Sequence, residues 1–276
     1  VDAKLKAKLD AFVAGGGKLL LSGASGRDPA TGAFAIETGL TLTDRQVPTN
    51  PSYCQLTDAL VDDRLPRAPF VVYATADEMR PAGATVLAEI HPSYFNRTFA
   101  HFCSHQHTPD DPTAPTAGIA AAMTATVGTL SYPVFELYRA IGQPLYKYLV
   151  DAMIERLMPN RALMTTLPSG GRANLTYQAE HRRLMVHLLY GAPQVRGQAV
   201  KVSWHPTPQP IEMIEDIPAL GPLSFSLRCV GEPTSVYDAV TGERFAWTRG
   251  SGDRIEVALP GLRIHRAIVI DGVTPR

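Results

Sequence analysis

The order of apolar and polar residues divides the chain into two regions that meet near residue 159. In the first region, apolar positions at helical spacing alternate with short runs that are almost wholly apolar. In the second, apolar and polar residues alternate in short runs that recur at roughly ten-residue intervals, with Gly, Pro, Asn and Asp between them. The pattern therefore predicts two domains, 1–159 and 160–276.

The first region begins with its clearest local signal, VDAKLKAKLDAFVAGGGKLLLSG. Asp2 is placed to cap a helix with an apolar face, the glycines that follow end that helix, and KLLLS reads as a buried strand. Further apolar runs predict strands at 70–74, 84–90 and 118–124 and helices from Val134 and from Pro144. Strands mixed with helices favour a doubly wound α/β sheet. Because strands normally precede the first helix of such a sheet, we expect this domain to lack an N-terminal part.

The second region carries nine short alternating runs without a helix signature, which is typical of an all-β sandwich. His187 lies inside one of these runs, RLMVHLLYG, and is predicted to be a hydrogen-bonded core residue. Trp204 and Trp247 are predicted to lie in strands and to pack in the sandwich core.

Charge and cysteine usage narrow the classes of partner. Lys and Arg together number 26, as do Asp and Glu, so no broad basic face indicates nucleic acid or an anionic membrane surface. No apolar run approaches the roughly 18 residues that span a bilayer. The three cysteines form no CxxC pair, which argues against a zinc ribbon and favours buried free thiols. No leader segment is recognised at the start, so the compartment stays open, with the cytoplasm as the expectation.

The densest cluster of chemically versatile side chains is FNRTFAHFCSHQHTPDD, residues 95–111. It directly follows the predicted strand 84–90, and ligands of open α/β sheets bind beyond the carboxyl ends of the strands. An extended backbone would put His101, Cys103, His105 and His107 on one face, which suggests a metal site. Asp110 or Asp111 could complete such a site, but the spacing matches no HExxH-like metal motif, and a helix or a glutamate partner is lacking.

Two other interpretations of this cluster are open. Cys103 beside a histidine suggests a nucleophile, but the glycines of a nucleophile elbow are absent. Alternatively, the cluster is the polar wall of a pocket for a ligand rich in hydroxyl groups, or simply a hydrogen-bonded loop. We favour the pocket wall and predict no catalytic residue, no metal and no cofactor in this chain. The predicted pocket residues are Tyr94, Asn96, Arg97, His101, His105 and His107.

Several stretches resemble a known family. LDAFVAGGGKLLLSG resembles the helix–glycine–strand step of the class I glutamine-amidotransferase-like domain of trimeric bacterial β-galactosidases, called the trimerisation domain, which has a flavodoxin-like α/β fold. FNRTFAHFCSHQHTP, LSYPVFELYRAIG and RRLMVHLLYGAP resemble the carboxyl half of a group of glycoside hydrolases, some of them α-L-fucosidase-like. Those proteins join a catalytic (β/α)8 barrel, this domain and a C-terminal β-sandwich.

The resemblance implies a non-catalytic accessory and oligomerisation region that helps to close the sugar pocket of a barrel not present in this chain. The implied partners are a carbohydrate substrate and either further copies of the chain or the absent N-terminal portion. The adjacent pairs Asp62–Asp63 and Asp110–Asp111 are not spaced like the two carboxylates of a glycosidase. The alternatives are a self-sufficient hydrolase that uses Cys103 or a histidine-bound metal, and a carbohydrate-binding module.

Overall fold

Strands hold 38% of the residues and helices 14% in the computed structural model, which describes residues 1–195, 197–204 and 206–276. The chain divides into two units, Val1–Pro159 and Asn160–Arg276. No helix in the described part of the chain is long and apolar enough to cross a membrane.

The first unit contains three helices and eight strands. The helices are α1 (Ala3–Ala14), α2 (Val134–Ile141) and α3 (Pro144–Leu157). The strands are β1 (Leu19–Ser22), β2 (Leu40–Gln46), β3 (Ser52–Leu56), β4 (Phe70–Val72), β5 (Asp77–Pro81), β6 (Thr85–His91), β7 (Gly118–Met123) and β8 (Val127–Leu130). Six of them form a sheet in the order β1-β8-β7-β6-β3-β4, and β2 pairs with β5.

The ends of the helices follow the local sequence signals. The Asp2 carboxylate accepts a hydrogen bond of 2.7 Å from the Leu5 amide and so caps α1. Helix α2 ends at Gly142, whose φ of 71° lies in the left-handed region that glycine enters at little cost. Pro144 opens α3, where its missing N–H costs no helical hydrogen bond. These three predicted helices are therefore confirmed.

Both faces of the six-stranded sheet are covered. One face packs in a cluster that includes Leu130 of β8 and Leu149 and Met153 of α3. A second cluster joins Ile119 and Ala122 of β7 to the β2–β5 pair. Consecutive residues of β7 are buried for this reason, and the strand reads as an uninterrupted apolar run.

The predicted doubly wound, flavodoxin-like sheet is not confirmed. Among the described strands of this sheet, only β1 and β8 pair in parallel, and the other neighbours are antiparallel. A continuous apolar run indicates that a strand is buried on both faces but carries no information on its direction. Strand β6 runs antiparallel to β3 and β7, so the loop after β6 does not begin at the carboxyl edge of a parallel sheet as we had predicted.

The second unit has two larger antiparallel sheets and one two-stranded sheet in the part of the chain that the structure describes. Its strands are β9 (Leu163–Thr165), β10 (Gly171–Gln178), β11 (Arg183–Tyr190), β12 (Gln194–Val195), β13 (Glu212–Met213), β14 (Leu223–Val230), β15 (Ser235–Asp238), β16 (Trp247–Arg249), β17 (Arg254–Leu259), β18 (His265–Asp271) and β19 (Thr274–Pro275). One sheet has the order β10-β11-β18-β15, and the other has β16-β17-β14-β19 with β9 also on β14. A short 3-10 turn, Ala179–His181, joins β10 to β11. This architecture fits the predicted β-sandwich.

Alternation along the strands builds the core of the second unit. In β14, Leu223, Phe225, Leu227 and Cys229 are buried, and the residues between them are not. On β11 the buried positions are Leu184, Val186 and Leu188, so His187 faces outward and its predicted place in the core is wrong. The prediction for Trp204 is also wrong, because it lies outside the strands and is 74% exposed. Trp247 lies in β16 and packs against the core as predicted.

Candidate functional site

The long loop between β6 and β7, residues 92–117, is tied at its base. The Asp111 amide donates to the Pro92 carbonyl at 2.9 Å, and the Tyr94 amide donates to the Pro109 carbonyl at 3.2 Å. Ser93 is buried and anchors the same neck, because its amide donates to Thr49 Oγ1 at 2.9 Å. These bonds hold the two ends of the loop together, so the residues between the ends form a single projecting loop.

Side-chain bonds then fix the first part of the projecting loop. Asn96 Oδ1 accepts from the Asn50 amide and Asn96 Nδ2 donates to the Pro48 carbonyl, both at 2.8 Å. Arg97 Nη1 donates to the Gln106 carbonyl and so links the two arms of the loop. Because both polar atoms of the Asn96 side chain bond to backbone groups, Asn96 positions the loop in this unit.

A cleft of about 760 Å³ lies between this loop and the residues beside β3 and β4. Two of its aromatic side chains, Phe99 at 101% and Phe102 at 67%, are strongly exposed. Its residues combine apolar rings with hydrogen-bonding groups, and none of them is acidic. They are Asn50, Pro51, Tyr73, Arg97, Thr98, Phe99, Phe102, Gln106 and His107. Such a mixture is typical of sites for small molecules.

Two lining residues of the cleft, Tyr73 and His107, form a group of rings with the buried Tyr53. The Tyr73 hydroxyl and His107 Nδ1 are 2.8 Å apart, and the two rings meet edge to face with their centroids 5.6 Å apart. The Tyr53 ring stands 6.4 Å from that of His107, and its hydroxyl donates to the Thr108 carbonyl at 2.8 Å. Burial, followed by the negative charge of Asp110, raises the pKa of the Tyr53 phenol. The phenol therefore stays protonated and keeps its bond to the backbone at neutral pH.

The six residues predicted as pocket wall do not all meet in the cleft. Arg97 and His107 line it directly. The His101 ring stacks on Phe95, with centroids 3.7 Å apart and planes inclined by 18°. Tyr94 and His105 are exposed, and neither is among the lining residues. All six residues stay predictions as ligand contacts, and only Arg97 and His107 are placed in the cleft.

The metal and nucleophile interpretations gain no support from this geometry. Residues 101–107 do not form a strand, so the histidines do not share the face that an extended backbone would give them. Within the described residues, no three His, Cys, Asp or Glu side chains are grouped so that they could hold an ion. Cys103 Sγ lies 3.7 and 3.6 Å from the carbonyl oxygens of His105 and His107, which are not bases that would remove its proton.

Several residues that line the cleft were not predicted from the sequence. Asn50 and Pro51 come from the turn before β3, and Tyr73 follows β4, so they are distant in sequence from the loop. Phe99 and Phe102 lie within the histidine-rich stretch but were not among the predicted pocket residues. Their signal was two phenylalanines in a stretch with no apolar periodicity, which gives them nothing to pack against.

No family model and no curated protein matches the chain. Among solved structures, the chain is similar to α-L-fucosidase isoenzyme 2 from Paenibacillus thiaminolyticus, with a TM-score of 0.83 and 28% identity over 98% of the chain. It is also similar in fold to a β-galactosidase from Bacillus circulans sp. alkalophilus, with a TM-score of 0.51 and 12% identity over 98% of the chain. It spans 39% of the fucosidase and 31% of the β-galactosidase. The resemblance to a portion of larger glycoside hydrolase chains is thereby confirmed.

Proposed function

We propose that this chain is a non-catalytic accessory region of a carbohydrate-active glycoside hydrolase, and that its cleft helps to close the sugar pocket of a catalytic barrel. The observation that carries the proposal is the cleft itself. Its two exposed phenylalanines offer flat faces to the apolar side of a sugar ring, and its amide, phenol, imidazole and guanidinium groups offer donors and acceptors to hydroxyls.

One carboxylate of each adjacent aspartate pair, Asp62 and Asp111, is engaged by its neighbours, which supports a non-catalytic role. Glycoside hydrolysis normally requires two carboxyl groups about 5–9.5 Å apart across the bond to be broken. Asp62 accepts hydrogen bonds from Arg64, and these bonds lower the pKa of its carboxyl group. The pKa of Asp111 is lowered by bonds from Thr113 and the backbone, so this carboxylate is occupied by its own turn. None of the cleft residues is acidic.

The proposal includes association with a further segment or a further copy of the chain. Strand β1 is an edge of its sheet and pairs only with β8 in the described structure. Helix α1 beside it has no buried residue, and its Leu5 and Phe12 are 45% and 53% exposed. An open strand edge next to a poorly covered apolar helix is a surface on which another chain segment can pair.

The first experiment measures activity and sugar binding on the same chain. We expect no hydrolysis of aryl α-L-fucosides or aryl β-galactosides, and weak binding of the free sugars in saturation-transfer NMR. Phe102→Ala and Arg97→Gln should each reduce the saturation transfer, because they remove a stacking face and a donor from the cleft. Phe135→Ala is the matched control, since Phe135 is an exposed aromatic of α2 that does not line the cleft.

Two results would overturn the proposal. Turnover of either glycoside that disappears on mutation of an aspartate in this chain would make the chain itself a hydrolase. Sugar binding that persists in Phe102→Ala but disappears in Trp204→Ala would move recognition to the second unit and favour a carbohydrate-binding module. Association is tested separately by light scattering across a concentration series, where a monomer at all concentrations would contradict self-association.

A further inference from the structure

A pair of histidines lies on the outer face of the second unit, in neighbouring strands. His187 is in the middle of β11 and His265 is the first residue of β18. His187 Nδ1 and His265 Nε2 are 3.3 Å apart, and the two rings are nearly parallel, with 11° between their planes and 5.5 Å between their centroids. We propose that these two imidazoles form a bidentate site for a divalent transition-metal ion such as Cu²⁺, Ni²⁺ or Zn²⁺.

The distance between the two nitrogens suits one shared ion. Imidazole nitrogens bind zinc at about 2.0–2.1 Å, so two of them in adjacent coordination positions stand roughly 2.9–3.4 Å apart. The observed 3.3 Å falls within that interval. Imidazole is also a ligand that suits copper, nickel and zinc, whereas Mg²⁺ and Ca²⁺ prefer oxygen ligands. Water molecules would complete the coordination shell, because the contact between the rings is open to solvent.

The strand register explains why the two rings meet. His187 lies directly opposite Ala267 in the antiparallel pair, and His265 is two residues from Ala267 along the same strand. His187 and His265 are therefore diagonal neighbours on one face of the sheet, within reach of long side chains. Ala267, opposite His187, is buried and carries only a methyl group.

The residue before His265 fixes where β18 begins. Ile264 has a φ of 65°, in the left-handed region that a β-branched residue rarely adopts. Its carbonyl accepts from the Tyr190 amide at 2.7 Å, and the His265 amide donates to the Arg263 carbonyl at 2.8 Å. These bonds hold the first residue of β18 in place, so His265 is a positioned side chain on a rigid sheet.

Ion binding requires a movement of one proton and a small turn of both rings, because at these N···N and centroid distances the two nitrogens point almost at each other. In the metal-free neutral pair, one contacting nitrogen carries a hydrogen and donates it to the other. For both nitrogens to bind an ion, that proton must move to the far nitrogen of the same ring, which is bare in that tautomer. Each ring of the neutral pair then keeps one proton.

The test is a titration of the full chain with Ni²⁺ or Cu²⁺. Isothermal calorimetry gives the affinity, and the broadening of histidine signals in NMR spectra shows which residues bind the ion. We expect one site at which His187→Asn and His265→Asn each weaken binding by at least about tenfold, since either change removes the chelate. The double variant should lose less affinity than the sum of the two single losses, because both changes disrupt one shared site. Mg²⁺ at the same concentration should leave the spectra unchanged.

Two controls separate this site from the other histidines. His181→Asn changes an exposed histidine of the turn between β10 and β11 and should leave the affinity unchanged. His105→Asn tests the histidine-rich loop of the first unit and should also have no effect at the strongest site. The proposal is overturned if the affinity is unaffected by His187→Asn, or if the two single losses add in the double variant as they would for independent, monodentate ligands.

Discussion

The two units bury similar kinds of side chain by different means. In the first unit, β7 and β8 are covered on both faces, and consecutive residues are inaccessible. In the second unit, β11 and β14 bury every second residue, and the residues between them face outward. The outward face of a sandwich strand is therefore free to carry chemistry, such as the His187–His265 pair, while the first unit places its cleft on a loop. The location of a candidate site follows from how its unit covers its sheets.

The largest expected change in stability comes from a buried position of the alternating pattern in β14. Phe225 is 1% exposed, and Phe225→Ala should destabilise the second unit by about 3–5 kcal/mol through lost burial and a residual cavity. Ser224 precedes it on the outward face, and Ser224→Ala should change the stability by less than about 0.5 kcal/mol. Urea unfolding followed by tryptophan fluorescence measures both, because Trp204 and Trp247 lie in this unit. Equal effects of the two changes would contradict one-sided burial.

The next largest change in stability tests whether both faces of the six-stranded sheet are closely packed at β7. Ala121 and Ala122 are consecutive in β7, are 0% and 1% exposed, and belong to different core clusters. Ala121→Leu and Ala122→Leu should each cost about 1–3 kcal/mol, because either face would be overpacked. Circular dichroism at 222 nm follows this unit, since α1, α2 and α3 all lie in it. A harmless change at either position would show that one face is open.

Alkaline pH should destabilise the first unit. Burial raises the pKa of the Cys54 thiol to about 12, from its ordinary value of 9.0. Burial also raises the pKa of the Tyr132 phenol, whose hydroxyl is 2.6 Å from Ser52 Oγ. Because the unfolded chain ionises these groups first, their contribution is complete below pH 9 and is lost as the pH rises towards 12. We expect the ionisation of Cys54 in the unfolded chain to lower the free energy of unfolding by about 1.4 kcal/mol for each pH unit in this window.

The measurement is urea unfolding at several alkaline pH values, followed by circular dichroism. Cys54→Ala removes one ionising group, so its unfolding free energy should fall less steeply with pH than that of the original chain. An unchanged slope would show that Cys54 is not protected from ionisation in the folded unit.

The smallest expected effect concerns an ion-pair group at the surface of the first unit. The hydrogen bonds of Arg64 lower the pKa of Asp62, and Arg64 also contacts Asp151 at 2.6 Å. Arg64→Met should raise the pKa of Asp62 towards that of an ordinary carboxyl group. It should change the urea midpoint little, because exposed ion pairs contribute weakly to stability. Carbon-detected NMR titration of Asp62 is the measurement, and Arg67→Met, at a more distant pair, is the control.

The sequence allowed the second unit to be predicted more completely than the first. The alternation of apolar and polar residues in LSFSLRCV and RLMVHLLYG predicts that each is a strand and also which of its residues are buried and which face outward. The same alternation should have placed His187 outward, since it stands between Val186 and Leu188. In the first unit, the apolar runs identified β4, β6 and β7 but carried no direction, so the antiparallel pairing could not be deduced.

The cleft could be predicted only in part, for a related physical reason. Arg97 and His107 came from the local cluster, which a single stretch of sequence displays. Asn50 and Tyr73 reach the cleft through the pairing of β3 with β4, and that pairing is a long-range property of the sheet. Phe99 and Phe102 are exposed, whereas phenylalanine usually indicates a core residue. A site assembled across antiparallel strands is visible only once the register is known.

The unequal accessibility of the three free cysteines gives the chain a built-in attachment point. Cys54 and Cys229 are 1% and 2% exposed, whereas Cys103 is partly exposed on the loop that carries Phe102. A thiol-directed fluorophore or a trifluoromethyl tag should therefore couple to one position of the folded chain, next to the cleft, without any engineered residue. The emission or fluorine signal of that tag would report directly whether a sugar, or a neighbouring polypeptide, settles against the loop.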